Sequence, residues 1–146
     1  MAAEKLAILR RPARLGAIAL LEAAQLPTVD LTDRHLEHFF YLGPQAAPTG
    51  MIGCEMHGDD GLLRSLVVTP ESRGAGAGSA LVECVEAYAR SQGIRAMYLL
   101  TTTAEQFFAR RGYLAVARAL VPESIRSTPE YSDICPASSA IMVKQL

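Results

Sequence analysis

Apolar positions along the chain change period several times, and each change predicts an element boundary. Lys5–Arg10 is a short apolar run that predicts a first strand, stopped by Pro12. Leu15, Ile18, Leu21 and Leu26 then recur at helical spacing, which predicts a helix over Arg14–Ala24 closed by Pro27. A second helix is expected over Asp30–Phe39, with Thr32 as its N-cap and Leu36, Phe39 and Phe40 along its stripe. From Phe39 the period falls to that of strands. Phe39–Leu42 and Met51–His57 read as two strands joined by the patternless segment 43–50. Gly58-Asp59-Asp60-Gly61 is a hairpin signal, and Leu62–Val68 is the β-rich strand beyond it.

A glycine-rich segment then leads into a long helix, expected from about Ser79 to Ser91. Leu81, Val82, Val85, Tyr88 and Ala89 form its stripe, and Gly93 is its stop. Arg95–Thr101 predicts a buried strand, Ala104–Arg111 a short helix ending at Gly112, and Tyr113–Ala117 another strand. Val121–Ser127 reads as a helical turn and Ser138–Lys144 as the final strand. With 146 residues, this order predicts one α/β domain over residues 1–146, built around one mixed sheet.

Composition narrows the function classes. Half of the residues are hydrophobic and the net charge is −1, which excludes a disordered chain. No basic block exists, so nucleic acid is not an expected partner. Arg10-Arg11 before Leu15–Leu21 imitates a targeting signal, but the run is short, Glu22 ends it, and its spacing favours an amphipathic helix. No run approaches the ~20 apolar residues of a membrane span, so no membrane partner is expected. Cys54, Cys84 and Cys135 show neither Cys-x-x-Cys nor zinc-ligand spacing. Cys54 and Cys84 are expected as buried thiols in a reducing cytoplasm, with convergence on a soft metal or metalloid as the alternative. His35, His38 and His57 show no ligand spacing either; surface positions and no metal are expected.

The chemistry concentrates in Arg73-Gly74-Ala75-Gly76-Ala77-Gly78-Ser79, between a strand and a helix. Glycine lets the backbone take positive φ and approach a ligand closely. The free N–H groups of the following helix face the same space, making a cradle for phosphate. A Lys-dependent phosphate loop needs a Lys that is missing here. A dinucleotide fingerprint needs Gly-x-Gly-x-x-Gly and a later acidic residue, where this chain has Gly-x-Gly-x-Gly and Thr101-Thr102-Thr103.

The string does match Arg/Gln-x-x-Gly-x-Gly/Ala, through Arg73, Gly76 and Gly78, and so resembles the coenzyme A pyrophosphate loop of the GNAT superfamily of N-acetyltransferases. Leu66–Arg73, a strand followed by Pro-x-x-Arg, and Phe107–Tyr113, a helix ending in Gly-aromatic, resemble the same family, and the element order agrees over nearly the whole chain. Leu99–Ala104 with Phe107-Phe108 and Arg111-Gly112 resembles the amino-acid acetyltransferases of the N-acetylglutamate synthase type. Leu63–Leu66 and the tail Val121-Pro122, Ile125-Arg126, Glu130-Tyr131 and Cys135-Pro136-Ala137 resemble the bacterial arsenic-resistance N-acetyltransferases.

The resemblance implies an acyl-CoA N-acyltransferase fold, with a mixed, mostly antiparallel sheet flanked by helices. It implies acetyl-CoA as co-substrate and a small-molecule amine as acceptor, an amino acid or an amino-acid-like arsenical. Val67, Val68, Arg73, Gly74, Ala75, Gly76, Ala77, Gly78 and Ser79 are the cofactor-binding candidates. The strand at Leu66–Val68 is expected to splay from Arg95–Thr101, with the Val68 N–H donating to the thioester oxygen. Phe108 stands where the family's thiolate-protonating Tyr is usual, so water or Tyr113 would have to serve. Glu55 is the candidate general base, with an exposed strand carboxylate as the plain alternative. Arg64 either binds a substrate carboxylate on the cleft face or salt-bridges within the sheet. Thr101 and Thr102 are expected to touch substrate, and capping of the next helix is the alternative role for this threonine run. A non-catalytic acyl-CoA-binding domain is the competing function. The apolar final strand and Pro-rich tail raise the prospect of a homodimer.

Overall fold

The strand-period runs assemble in a computed structural model that describes residues 7–26, 28–74, 76–134 and 139–146. Among the described residues seven strands form one sheet: β1 (Leu9–Arg10), β2 (Phe39–Leu42), β3 (Gly50–His57), β4 (Asp60–Val68), β5 (Ala96–Thr101), β6 (Leu114–Ala115) and β7 (Ala140–Gln145), in the order β1-β2-β3-β4-β5-β7-β6. Every pairing is antiparallel except β4 with β5. That parallel step requires a crossover, which the long helix α3 (Ala77–Ser91) supplies. The hairpin between β3 and β4 closes through Gly58 and Asp59, with Gly58 at φ +69°, where a side chain would be strained.

β4 carries a bulge that decides which residue faces which layer. Met51 pairs with Val67 and Gly53 with Arg64, so Ser65 and Leu66 together oppose Ile52. Ser65 sits at φ +61°. Leu63, Leu66 and Val68 thereby pack into the apolar layer under α3 with Leu81, Val82 and Val85. Val67 turns to the other face, with Phe39, Met51 and the buried side of α1 (Arg14–Ala23). A third apolar cluster on Leu62, Tyr98, Val121 and Ile125 gathers α5 (Glu123–Arg126).

Several boundaries differ from expectation for clear reasons. The buried side of α1 is Gly16, Ala17, Leu20 and Leu21, while Leu15 is 81% exposed. Gly16 lets the loop at Ala46 lie against the helix, since a Cβ there would meet the Ala46 carbonyl oxygen at 2.3 Å, and this rotates the apolar stripe away from Leu15. α2 shrinks to Asp33–Leu36 behind a Thr32–His35 capping box, because Phe39 and Phe40 pair with Gly53 and Ile52 as strand. α4 spans Glu105–Ala109. The final strand β7 is interior, between β5 and β6, so it pairs within the sheet. An unexpected wide helical turn covers Glu130–Ile134. Among the described residues no helix is long and apolar enough to cross a membrane.

Gly53 makes the closest packing contact of the β2–β3 pair, because a Cβ there would lie 2.2–2.4 Å from the buried Phe39 ring. Gly53→Ala therefore overpacks the core and is expected to cost about 1–3 kcal/mol. Urea unfolding of the variant against the parent protein measures it.

Candidate functional site

The parallel step is short. β4 and β5 pair only from Asp60–Leu62 to Ala96–Tyr98. Beyond that point β5 continues on β7 as far as Thr101, and β4 continues on β3 as far as Val68. The strands part, and a wedge-shaped cavity of about 400 Å³ opens between Leu63–Leu66 on one side and Leu99–Thr101 on the other. Strand edges without a partner leave backbone donors and acceptors for an extended ligand. Leu26, Leu66, Thr103 and Ala104 also line a second recess of about 680 Å³, so the two spaces are contiguous.

The second recess ends at the glycine segment. Gly74 and Gly76 take φ +87° and +75°, and nothing lies within 4 Å of where a Cβ would stand. Gly76 is the N-cap of α3 and offers no side-chain acceptor, so among the described residues the first-turn donors of the helix have no side-chain cap. Val67, Val68, Arg73, Gly74, Gly76, Ala77, Gly78 and Ser79 all line this recess; Ala75 lies outside the described residues. Arg73 Nε donates to the Val68 carbonyl at 3.2 Å, which holds the arginine across the mouth of the loop. Arg110 and Arg111 line the same recess. The Arg111 guanidinium stacks 3.6 Å from the Phe107 ring centre and donates to Ser79 Oγ, and its buried Nε has no partner among the described residues. An uncapped helix start lined by three arginines offers donors and positive charge of the kind that suit an anion.

On the other face of β4, Arg64 is enclosed by carboxylates. Its Nη1 and Nη2 donate to both Asp30 oxygens at 2.6 and 2.8 Å, and Nη1 also donates to Glu55 Oε2 at 2.8 Å. Its Nε donates to Ser65 Oγ at 3.2 Å, with Glu130 Oε1 at 3.5 Å. The Arg64 side chain is 0% exposed. Burial opposes its charge, but Asp30, Glu130 and Glu55 raise its pKa further. This is the salt-bridging alternative for Arg64, realised inside the chain. Burial pushes the Asp30 carboxyl up, and the Arg64 hydrogen bond and charge outweigh it, so Asp30 stands below its ordinary value. Glu130 goes the other way: burial first, then the Glu55 and Asp30 charges, raise it to about 7 against the pull of Arg64.

Glu55 stands in this network and not on the wall of the wedge. It accepts from Arg64 and from His57 Nε2 at 2.9 Å, with His35 Nε2 at 3.7 Å. The histidines expected at the surface are half-buried, two of them against one buried glutamate. Asp30, His35 and Glu55 bring ligand atoms within 4.8 Å of one another, and the Arg64 guanidinium is the cation between the two carboxylates. Cys54 is buried, its thiol pushed up to about 12 by desolvation and then by Glu55, and Cys84 is half-buried. Cys135 lies outside the described residues.

Thr101 and Thr102 both line the wedge, but Thr101 also caps: its Oγ1 accepts from the Ala104 N–H at 2.9 Å. Phe108 lines the wedge as a buried ring packed edge-on against Tyr113. Tyr113 itself is fully buried and donates to Glu86 Oε2 at 2.8 Å; burial and this bond raise its pKa far above the ordinary range. It stands away from the wedge and is no proton donor there. Sequence reasoning gave no role to Glu130, Ser139, Arg110 or Arg111. The arginine pair had a signal, two adjacent cations just before Gly112 at the end of a short helix. Glu130 was marked only through the resemblance of the Glu130-Tyr131 tail, since its turn has no apolar period to place it.

Arg64→Met strands three buried carboxylates and is expected to cost about 3–5 kcal/mol near pH 7. Asp30, whose folded pKa is lowered, contributes stability above its ordinary value of 3.8 and loses it as pH falls through the folded value. In the variant that contribution is absent and the stranded groups take up protons, so the deficit shrinks from pH 7 to pH 5. Urea titrations at both pH values measure the difference.

A sequence model of the acetyltransferase (GNAT) family matches residues 10–114. The amino-acid acetyltransferase of Ralstonia nicotianae is 36% identical over 66 residues, which is 45% of this chain and 15% of that protein. The amino-acid acetyltransferase of Pseudomonas fluorescens Pf0-1 is 42% identical over 55 residues, 38% of this chain and 13% of that protein. This chain thus spans well under a quarter of those relatives. Among solved structures, N-acetylglutamate synthase of Neisseria gonorrhoeae complexed with coenzyme A and N-acetyl-glutamate superposes with a TM-score of 0.80 at 22% identity, covering 98% of this chain and 35% of that one. An acetyltransferase of the GNAT family from Staphylococcus aureus Mu50 superposes with a TM-score of 0.75 at 16% identity, covering 97% and 99%. The family match runs from β1 to β6, across the wedge and the glycine-lined helix start, and the chain belongs to the acetyltransferase (GNAT) family.

Proposed function

We propose that the chain is an acetyl-CoA-dependent N-acetyltransferase acting on the amine of a small molecule, an amino acid or an amino-acid-like compound. One observation carries the reading: the gap between β4 and β5 opens directly onto an uncapped, arginine-flanked helix start. A pyrophosphate fits the donors at Gly76–Ser79 and the charge of Arg73, Arg110 and Arg111. The β4 edge at Val67 and Val68, paired with β3 on one side and without β5 on the other, then suits the extended arm of the same ligand, as a strand edge suits a peptide. The solved neighbour from Neisseria gonorrhoeae was complexed with coenzyme A, and the relatives named amino-acid acetyltransferases support an amino acid as acceptor.

Acetyl-CoA supplies an activated acyl group on a thiol leaving group. The protein has to neutralise the pyrophosphate, orient the carbonyl and receive a neutral amine. Arg73 and the α3 start perform the first task. The Val68 N–H polarises the carbonyl oxygen and needs no side chain to do so. The acceptor occupies the wedge beside Leu100, Thr101 and Thr102. In this reading Arg64 and Glu55 are the frame of the pocket, held by one another and by Asp30. A narrower acceptor, an amino-acid-like arsenical, is supported only by the resemblance of Leu63–Leu66 and of the segment from Val121 to Ala137. Phe108, a ring that cannot donate a proton to a departing thiolate, favours the competing reading of a domain that binds acyl-CoA without turnover.

The two readings separate on thiol release. Purified protein with acetyl-CoA and a panel of amino acids is expected to release thiol with at least one of them. Coenzyme A binding with no release on any amine supports the non-catalytic domain. Calorimetry with Arg73→Ala is expected to raise the Kd for coenzyme A about tenfold, the value of one charge-assisted contact. Unchanged affinity rejects this placement of the pyrophosphate.

A further inference from the structure

The charged residues lining the wedge, among those described, are Arg64 and Glu130. Arg64 has no acceptor capacity and is committed to three carboxylates. Glu130 is therefore the proton acceptor in reach of a bound amine. It is 5% exposed, and its shortest approach to the guanidinium is 3.5 Å, while Asp30 and Glu55 take the short hydrogen bonds. Ser139 lines the same cavity, and its buried Oγ has no hydrogen-bond partner among the described residues. A hydroxyl without a partner and a weakly bonded carboxylate lining one cavity suit a pocket that receives a polar group.

We propose that Glu130 is a catalytic base of this site, taking the proton from the acceptor's ammonium, with Ser139 Oγ as a hydrogen-bond partner of the same nitrogen. The inference rests on the acetyltransferase reading above. The carboxylate accepts one N–H proton of the ammonium and leaves a neutral amine. The nitrogen lone pair attacks the thioester carbonyl carbon, the N–C bond forms and the C–S bond breaks. The second N–H proton goes to the departing sulfur, and the proton on Glu130 returns to water.

The setting fits this task. Three carboxylates surround one guanidinium, so the cluster carries two surplus negative charges when all are ionised. The surplus falls on Glu130, which burial and the Glu55 and Asp30 charges raise to about 7. The charged groups that face it are Arg64 from β4, Glu55 from β3 and Asp30 from the segment before α2. α5, which packs on its turn, buries Ile125 there, while its Glu123 and Arg126 are exposed and paired with each other. A base that titrates close to neutrality is ionised at working pH and still holds a proton once it has taken one.

The test begins on the ligand-free protein. Carbon-13 NMR of its glutamate carboxyls is expected to show one resonance titrating near pH 7, missing in Glu130→Gln. A Glu130 resonance titrating in the usual range of about 4–5 overturns the proposal whatever the activity. With a turned-over amino acid, kcat/KM of the parent protein is expected to fall tenfold per unit below about pH 7. Glu130→Gln is expected to lose that limb and about 10²–10⁴-fold in rate. A variant that keeps both the limb and the rate overturns the proposal. Asp30→Asn, which removes one of the repelling carboxylates, is expected to move the limb to lower pH, and an unmoved limb counts against Glu130. No thiol release from the parent protein with any amine rejects the acetyltransferase reading itself, a result the carboxyl titration does not depend on.

Discussion

One buried guanidinium organises this molecule. Arg64 joins four segments: its own strand β4, Glu55 on β3, Asp30 before α2, and Glu130 on the turn that precedes β7. It also divides the face of the sheet opposite α3, since the cluster around Phe39 and Met51 lies on one side and the cluster around Leu62 and Ile125 on the other. A lysine could not take this place, because a point charge does not present a planar fork to Asp30 and a third donor to Ser65. Burying such a group is costly, and its removal is costlier still, because three carboxylates would remain behind.

The fork also sorts the carboxylates. Asp30 takes both of its oxygens to Nη1 and Nη2, and Glu55 shares Nη1. Nε is spent on the Ser65 hydroxyl, so among the described residues Glu130 is left with attraction to the guanidinium at 3.5 Å. Groups of one chemistry therefore diverge by environment: the hydrogen-bonded one is held ionised and the desolvated one retains its proton toward neutral pH. The same bulge that puts Ser65 in the left-handed region brings its hydroxyl under Nε. Backbone strain at that residue thus serves the wedge and the charge cluster together.

How much of this was legible in the sequence follows from the range of the forces involved. The glycine segment, the α3 stripe and the strand runs are local patterns, and all were readable, with α3 starting at Ala77 in place of Ser79. The splaying of β4 from β5 came from the family resemblance, and the short ladder agrees with it. Leu15 misled because the face of α1 is chosen by a loop 30 residues away that needs the bare backbone of Gly16. Arg64 was legible as an anomaly, a charge in an apolar strand, but not its partners, which come from three distant segments. Glu55 was chosen as a base for its position on a strand, and its buried bonds to Arg64 and His57 appear only in three dimensions. Glu130 belongs to a wide turn with no period, so it was marked only as part of the resembling tail and its place beside Arg64 was not legible.

The place of Phe108 follows from the same chemistry. Acyl transfer to an ammonium needs two proton movements, one off the nitrogen before attack and one onto the sulfur afterwards. A free thiol has a pKa of ~8.5, so a thiolate departs near neutrality with little help from an acid. An amino group holds its proton far more tightly, and only its neutral form attacks. Losing the phenol at Phe108 therefore removes the less demanding of the two devices, and in return the ring packs edge-on against Tyr113, whose hydroxyl is bound to Glu86. Glu86 in turn accepts from Lys144 on β7, so this buried stack ties α3, α4 and the last strand together behind the wedge. In the proposed reaction the demanding step falls to Glu130, which lines the same cavity and which the surplus charge around Arg64 keeps basic.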